Sequence, residues 1–182
     1  NNKIFAVGKS LSEQILHGND DDLYTAIAFS ERKTTLSDAE SVQDLRTKPD
    51  LMKWFMDNLL QNMCGTHLWK ALSETLQMVL EYGKQNPDKH ITFQLLSDGE
   101  DNDLNRKPHY DATLATLAKI EETLGERFYI VMFGIGTAAK IKELGDTLKV
   151  SPDNIIEVAA DPRHIEIAQY AVAEASRMQS EG

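Results

Sequence analysis

Residues 90–103 read HITFQLLSDGEDND: an apolar run, then Ser-Asp-Gly, then a burst of acidic and amide side chains. The part HITFQLLS (90–97) is apolar with little alternation, which predicts a buried strand. Asp98 stands where that strand ends. It is open to three readings: a metal ligand carried by the strand end, part of a calcium loop, or the start of a solvated turn.

The segments around this run set the fold class. Downstream, DATLATLAKIEETLG (111–125) has a helical period closed by Gly125, and ERFYIVMFGIG (126–136) is a second buried strand. A helix over about 138–149, the strand NIIEVAA (154–160) and a helix PRHIEIAQYAVAEASRM (162–178) opened by Pro162 complete the order. Upstream, LWKALSETLQMVLEYGKQ (68–85) sets Leu68, Leu72, Leu76 and Leu80 on one face of a long helix. A helix is expected over 50–62, and strands over LYTAIAFS (23–30) and KTTLS (33–37), paired through the Ser30–Arg32 turn. A first helix carries Ile4, Val7, Leu11 and Ile15 and ends at HGNDDD. Strands alternating with helices predict an α/β fold with a mostly parallel sheet and helices on both faces. No repeat or linker interrupts it, so one domain is expected over residues 1–182.

Composition narrows the function classes. The 182 residues are 41% hydrophobic and 26% charged, an ordinary globular balance. A net charge of −10 repels a phosphate backbone or an anionic membrane surface, so no nucleic acid partner is expected. The longest apolar run, Phe128 to Ile135, is too short to span a bilayer. Cys64 is the single cysteine, which excludes an internal disulfide and a cysteine-cluster zinc site, and suits a reducing compartment.

Ligands of parallel sheets bind beyond the carboxyl ends of the strands. That rule selects NMCGTH (62–67), SDGEDND (97–103) and GIGTAAK (134–140). Gly8-Lys9-Ser10 is not a phosphate loop, because it lies inside a helical pattern and Lys3 stands where the loop needs glycine. An EF-hand is excluded by spacing: from Asp98 the sixth and twelfth positions are Asp103 and His109, and from Asp101 they are Arg106 and Ala112. Glu100, Asp101 and Asp103 are therefore read as a solvated acidic turn. Gly134-x-Gly136-x-x-Ala139, with Glu157 about 20 residues on, resembles a dinucleotide fingerprint. It comes late in the chain and Glu157 falls inside a strand, so small residues packed at a tight turn are the preferred account. The five histidines show no metal-ligand spacing, and no nucleophile elbow is present. Thr66 lies near a helix start, where its hydroxyl either caps the helix or faces out.

In combination these segments resemble the von Willebrand factor A family. GTHLWKAL (65–72) is similar to that family's Gly-Thr-x-x-x-x-Ala-Leu segment, and LLSDGED (95–101) to its Thr-Asp-Gly strand end. YIVMFGIGT (129–137) is similar to the next strand with its Gly-x-Gly turn, and DLYTAIAFSE (22–31) to the second strand. The resemblance implies a Rossmann-like three-layer fold with a metal-ion-dependent adhesion site. It implies Thr66 and Asp98 as ligands of Mg²⁺ (or Mn²⁺ or Ca²⁺), with Gly65, His67, Ser97, Gly99 and Glu100 on the rim. The implied partner is a protein that offers an acidic side chain, and no catalytic residue or enzyme activity is expected. The family's Asp-x-Ser-x-Ser, carried by the central first strand, has no counterpart in these residues. The expectation is therefore a chain clipped on its N-terminal side, or completed by another segment, that binds Mg²⁺ poorly by itself.

Overall fold

The computed structural model describes residues 12, 14–29, 33–48, 50, 53, 66–97, 99–134 and 137–157. The chain comprises two compact units, one over Gly65–Glu157 and one over Asn1–Cys64 with Val158–Gly182.

In the second of these, β1 (Leu23–Phe29) pairs antiparallel with β2 (Lys33–Ser41), from Leu23 opposite Ser41 to Phe29 opposite Lys33, with irregularities around Ala26. β2 runs four residues past the expected KTTLS, because backbone pairing with β1 carries the polar SDAES stretch into the ladder. Ser41 then caps the single turn α1 (Val42–Leu45), its Oγ accepting from Asp44 N at 3.1 Å. Residues 14–17 are helical, as the apolar spacing predicts. Their closing carbonyls are held by Arg46, which donates through Nε to Ile15 O at 3.0 Å and through its other nitrogens to Gly18 O and Asp20. Ile15, Val42 and Leu45 are buried here. The expected turn at 30–32, the helix over most of 50–62 and the closing helix at 162–178 lie outside the described residues.

The unit over Gly65–Glu157 carries the parallel sheet. Helix α2 (Leu68–Gln85) leads into β3 (Ile91–Ser97), α3 (Lys107–Leu124) into β4 (Phe128–Gly134), and α4 (Ala138–Thr147) into β5 (Ile155–Glu157). The strand order is β3-β4-β5, all parallel, with Ile91 beside Phe128, Ser97 beside Gly134 and Gly134 beside Glu157. Strand–helix–strand repetition forces this parallel order, since each helix returns the chain to the edge where the next strand begins.

Helix α2 has the bounds its leucine spacing predicts, and Leu68, Leu72, Leu76 and Leu80 are all buried. Leu76 and Leu80 join Ile120 and Leu124 of α3 in one cluster, against which Ile91, Phe93 and Phe128 of the sheet pack. Each buried leucine contributes about 2 kcal/mol. Helix α3 begins at Lys107, four residues before the expected Asp111. Pro108 accounts for the shift, because it occupies the first turn where its missing N–H costs nothing. A 3₁₀ turn (Gly125–Arg127) separates α3 from β4, and another (Pro152–Asn154) precedes β5. No helix among the described residues is long and apolar enough to cross a membrane.

Candidate functional site

The loops after β3 and β4, with Thr66 and His67 of the first selected loop, belong to the unit over Gly65–Glu157, and the parallel register brings the ends of β3, β4 and β5 to one sheet edge. At the end of β3, Ser97 Oγ accepts from Gly99 N at 3.0 Å. Gly99 has φ +81°, a left-handed conformation that a side chain would strain, and a Cβ there would sit 3.4 Å from Lys140 O. The turn therefore lies against the first turn of α4. Glu100 continues that contact through an ion pair with Lys140 Nζ. Asp98 and Gly65 lie outside the described residues.

Of the solvated acidic turn expected of Glu100, Asp101 and Asp103, Glu100 is exposed, whereas Asp101 and Asp103 are half-buried and hydrogen-bonded. Asp101 accepts from Trp69 N at 2.9 Å through one carboxylate oxygen and from Asp103 N at 2.7 Å through the other. Asn102 grips Thr66 from both sides: its Oδ1 accepts from Thr66 N at 2.9 Å, and its own N donates to Thr66 O at 2.9 Å. Asp103 accepts from Asn105 N at 2.9 Å, and its second oxygen lies 3.9 Å from His67 Nδ1. The carboxylates turn inward because α2 has no N-cap acceptor of its own. His67 occupies the N-cap position without a side-chain cap bond, so the helix start takes its acceptor from a loop 32 residues away in sequence. A carboxylate there also faces the positive end of the helix.

This arrangement corrects the capping alternative for Thr66. Its main chain is tied at N and O, and its hydroxyl makes no hydrogen bond to α2. Sequence reasoning missed Asp101 and Asn102. The available signal was negative: a strongly amphipathic helix preceded by Gly-Thr-His, with neither a capping box nor an acid in its first turn, requires an acceptor from elsewhere. The first turn of α2 is also fastened from α3. Thr113, fully buried, donates to His109 O at 2.8 Å and approaches Trp69 O at 3.3 Å, and the Trp69 and Tyr110 rings meet edge to face at 4.8 Å.

The third loop has a packing explanation. A Cβ on Gly134 would fall 2.5 Å from Ile141 Cγ1, so glycine is required where α4 crosses the end of β4. Thr137 caps α4 by accepting from Lys140 N at 3.4 Å, and Ala139 lies on the exposed side of that helix. Gly136 lies outside the described residues.

Among the titratable groups, the Lys140 hydrogen bond and then its charge hold the Glu100 carboxyl below the ordinary glutamate value. The folded form is thus favoured above the unfolded glutamate pKa, and this preference is lost as pH falls through the lowered folded value. A carboxyl-detected NMR titration should place the Glu100 midpoint below that of a free glutamate, and Lys140→Met should return it to the ordinary range. An unchanged midpoint in Lys140→Met would remove the ion pair as the cause.

No family model matches the sequence, and no curated protein matches it. Among solved structures, the chain is similar to a von Willebrand factor type A protein from Catenulispora acidiphila, with a TM-score of 0.63 and 12% identity over 95% of this chain. The chain has the von Willebrand factor type A fold. It spans 38% of the length of that protein. The cation implied by the sequence resemblance would need hard oxygen donors at these loops. Thr66 has its main chain tied to Asn102, and among the described residues no hydrogen bond of its hydroxyl, a hard oxygen of the kind Mg²⁺ takes, is seen. Asp101 and Asp103 are committed to amides, and no group of three His, Cys, Asp or Glu that could hold a metal is found among the described residues.

Proposed function

We propose that this chain is a protein-recognition module without enzymatic activity. It meets an acidic side chain of a partner through a divalent cation at the carboxyl edge of its parallel sheet. The observation that supports this reading is Thr66: main chain clamped by Asn102, with no hydroxyl bond among the described residues, in a chain of von Willebrand A fold. Thr66 and Asp98 are the residues that would hold Mg²⁺ or Mn²⁺. When bound, such an ion supplies a net positive centre for a carboxylate, because few carboxylates of the chain neutralise it. Gly65, His67, Ser97, Gly99 and Glu100 form the rim that a partner would touch.

Mn²⁺ is the probe for this site. Added to the labelled chain, it should broaden the amide resonances of Thr66 and Gly99 before those of β4. Asp98→Ala should raise the Mn²⁺ concentration required by about 10-fold or more, whereas Glu122→Gln on exposed α3 should not. Equal broadening in Asp98→Ala and the parent chain would remove Asp98 from the site.

A second reading, a metal-free interaction module of the same fold, is favoured by the commitment of Asp101 and Asp103 to backbone amides. Under it, Asp98→Ala leaves the amides around Thr66 as they are, and Mn²⁺ broadens no residue selectively.

A further inference from the structure

Two loops far apart in sequence carry the candidate site: the one before α2 with Thr66, and the one after β3 with Asp98. Asp101 and Asn102 join them with three hydrogen bonds of 2.9 Å, two between Asn102 and Thr66 and one from Trp69 N to Asp101. The same Asp101 carboxylate also accepts from Asp103 N, so the acceptor that caps α2 also sets the shape of its own loop. On the far side, Gly99 and Glu100 rest on the first turn of α4. The loop after β3 is thus held between two helix starts, and its backbone-directed hydrogen bonds to the start of α2 and to Thr66 just before it come from two adjacent residues, with Asp103 3.9 Å from His67 beside them.

We propose that Asp101 and Asn102 are positioning residues that act as one latch, locking the loop after β3 to the start of α2. Thr66 and the strand end then move as a single body. The latch fixes the spacing between the two loops before any partner arrives, which removes an ordering cost from recognition. Its role in recognition rests on the reading given above, whereas its mechanical action does not. Neither residue touches a ligand in this scheme. Both act through Thr66 and the turn that begins at Ser97.

Amide hydrogen exchange separates a latch from independent bonds. In Asn102→Ala, the Thr66 amide should exchange about 10-fold faster, as for one lost hydrogen bond. The Trp69 amide, whose own acceptor is intact, should quicken with it. In Asp101→Ala the converse is expected, with Thr66 quickening although Asn102 is unchanged. Asn102→Asp retains an acceptor for Thr66 N and should restore slow exchange, and the Met132 amide in β4 serves as the reference. If each variant releases only its own amide, the two residues do not act as one latch and the proposal falls. The Mn²⁺ arm reads the positioning role. Asn102→Ala should weaken broadening at Thr66 and Gly99 several-fold at an unchanged melting temperature, and equal broadening would overturn that role. Absence of Mn²⁺ broadening in the parent chain would instead overturn the cation reading, leaving the exchange result to decide the latch.

Discussion

Gly134→Ala is expected to lower the melting temperature by roughly 6–12 °C, about 3 kcal/mol for a chain of this size. The new Cβ would lie 2.5 Å from Ile141 Cγ1 and 2.6 Å from both Cδ1 and Cγ2. Ile141 is only 3% exposed and branched at Cβ, so no rotation about χ1 clears all three atoms at once. Helix α4 must lift from the end of β4, or the strand must bend. The contact is tested by a double-mutant cycle with Ile141→Ala, which removes the obstructing atoms. The pair should be less destabilised than the sum of its members, and additive losses would show that the clash is relieved elsewhere.

The second large effect is expected at Arg127. Its guanidinium donates to three main-chain carbonyls around the end of α2: Asn86 O at 3.0 Å, Lys89 O at 2.9 Å and Gly83 O at 3.3 Å. Gly83 O lies in the last turn, where a helix end leaves carbonyls without intrahelical partners, Asn86 O and Lys89 O belong to the turn that follows, and a cation there also meets the negative end of the helix dipole. Hydrogen bonds to a charged donor are the stronger kind, so Arg127→Ala should cost about 2–3 kcal/mol, seen as an earlier midpoint in urea unfolding. Arg127→Lys should recover less than half of the loss, because a single ammonium cannot span three carbonyls as the planar fork does. Full recovery by lysine would assign the effect to charge alone.

Both sites show what the sequence makes legible. Helix α2 could be placed to the residue, because four leucines at helical spacing carry their own evidence of burial. Strands β3 and β4 were legible for a related reason, as apolar runs of strand length, although β3 is half-buried except at Leu95 rather than buried as expected. The polar segments were harder to place. SDAES gives no sign that β2 continues to Ser41, since the reason lies in the ladder with β1. KPHY conceals the first turn of α3 behind a proline and charges. Thr66 could be singled out only through the family resemblance, since its place before an amphipathic helix by itself suggested a cap. The Asp101 and Asn102 bonds could not, because their partners stand 32 and 36 residues away and a non-local bond leaves no spacing in the sequence. The acidic cluster looked solvated because composition records charge but not the direction in which a carboxylate points.

The ring pair at the start of α2 has an optical consequence. Trp69 meets Tyr110 of α3 edge-on at 4.8 Å while its main-chain amide is bonded to Asp101, so its indole is attached to the residue that the loop after β3 holds. The chain has two tryptophans, and the other, Trp54, lies outside the described residues. With Trp54 replaced by phenylalanine, emission becomes a single-site signal from Trp69. The protein thus carries a built-in chromophore where its loops meet, and their movement can be followed in real time without attaching a dye.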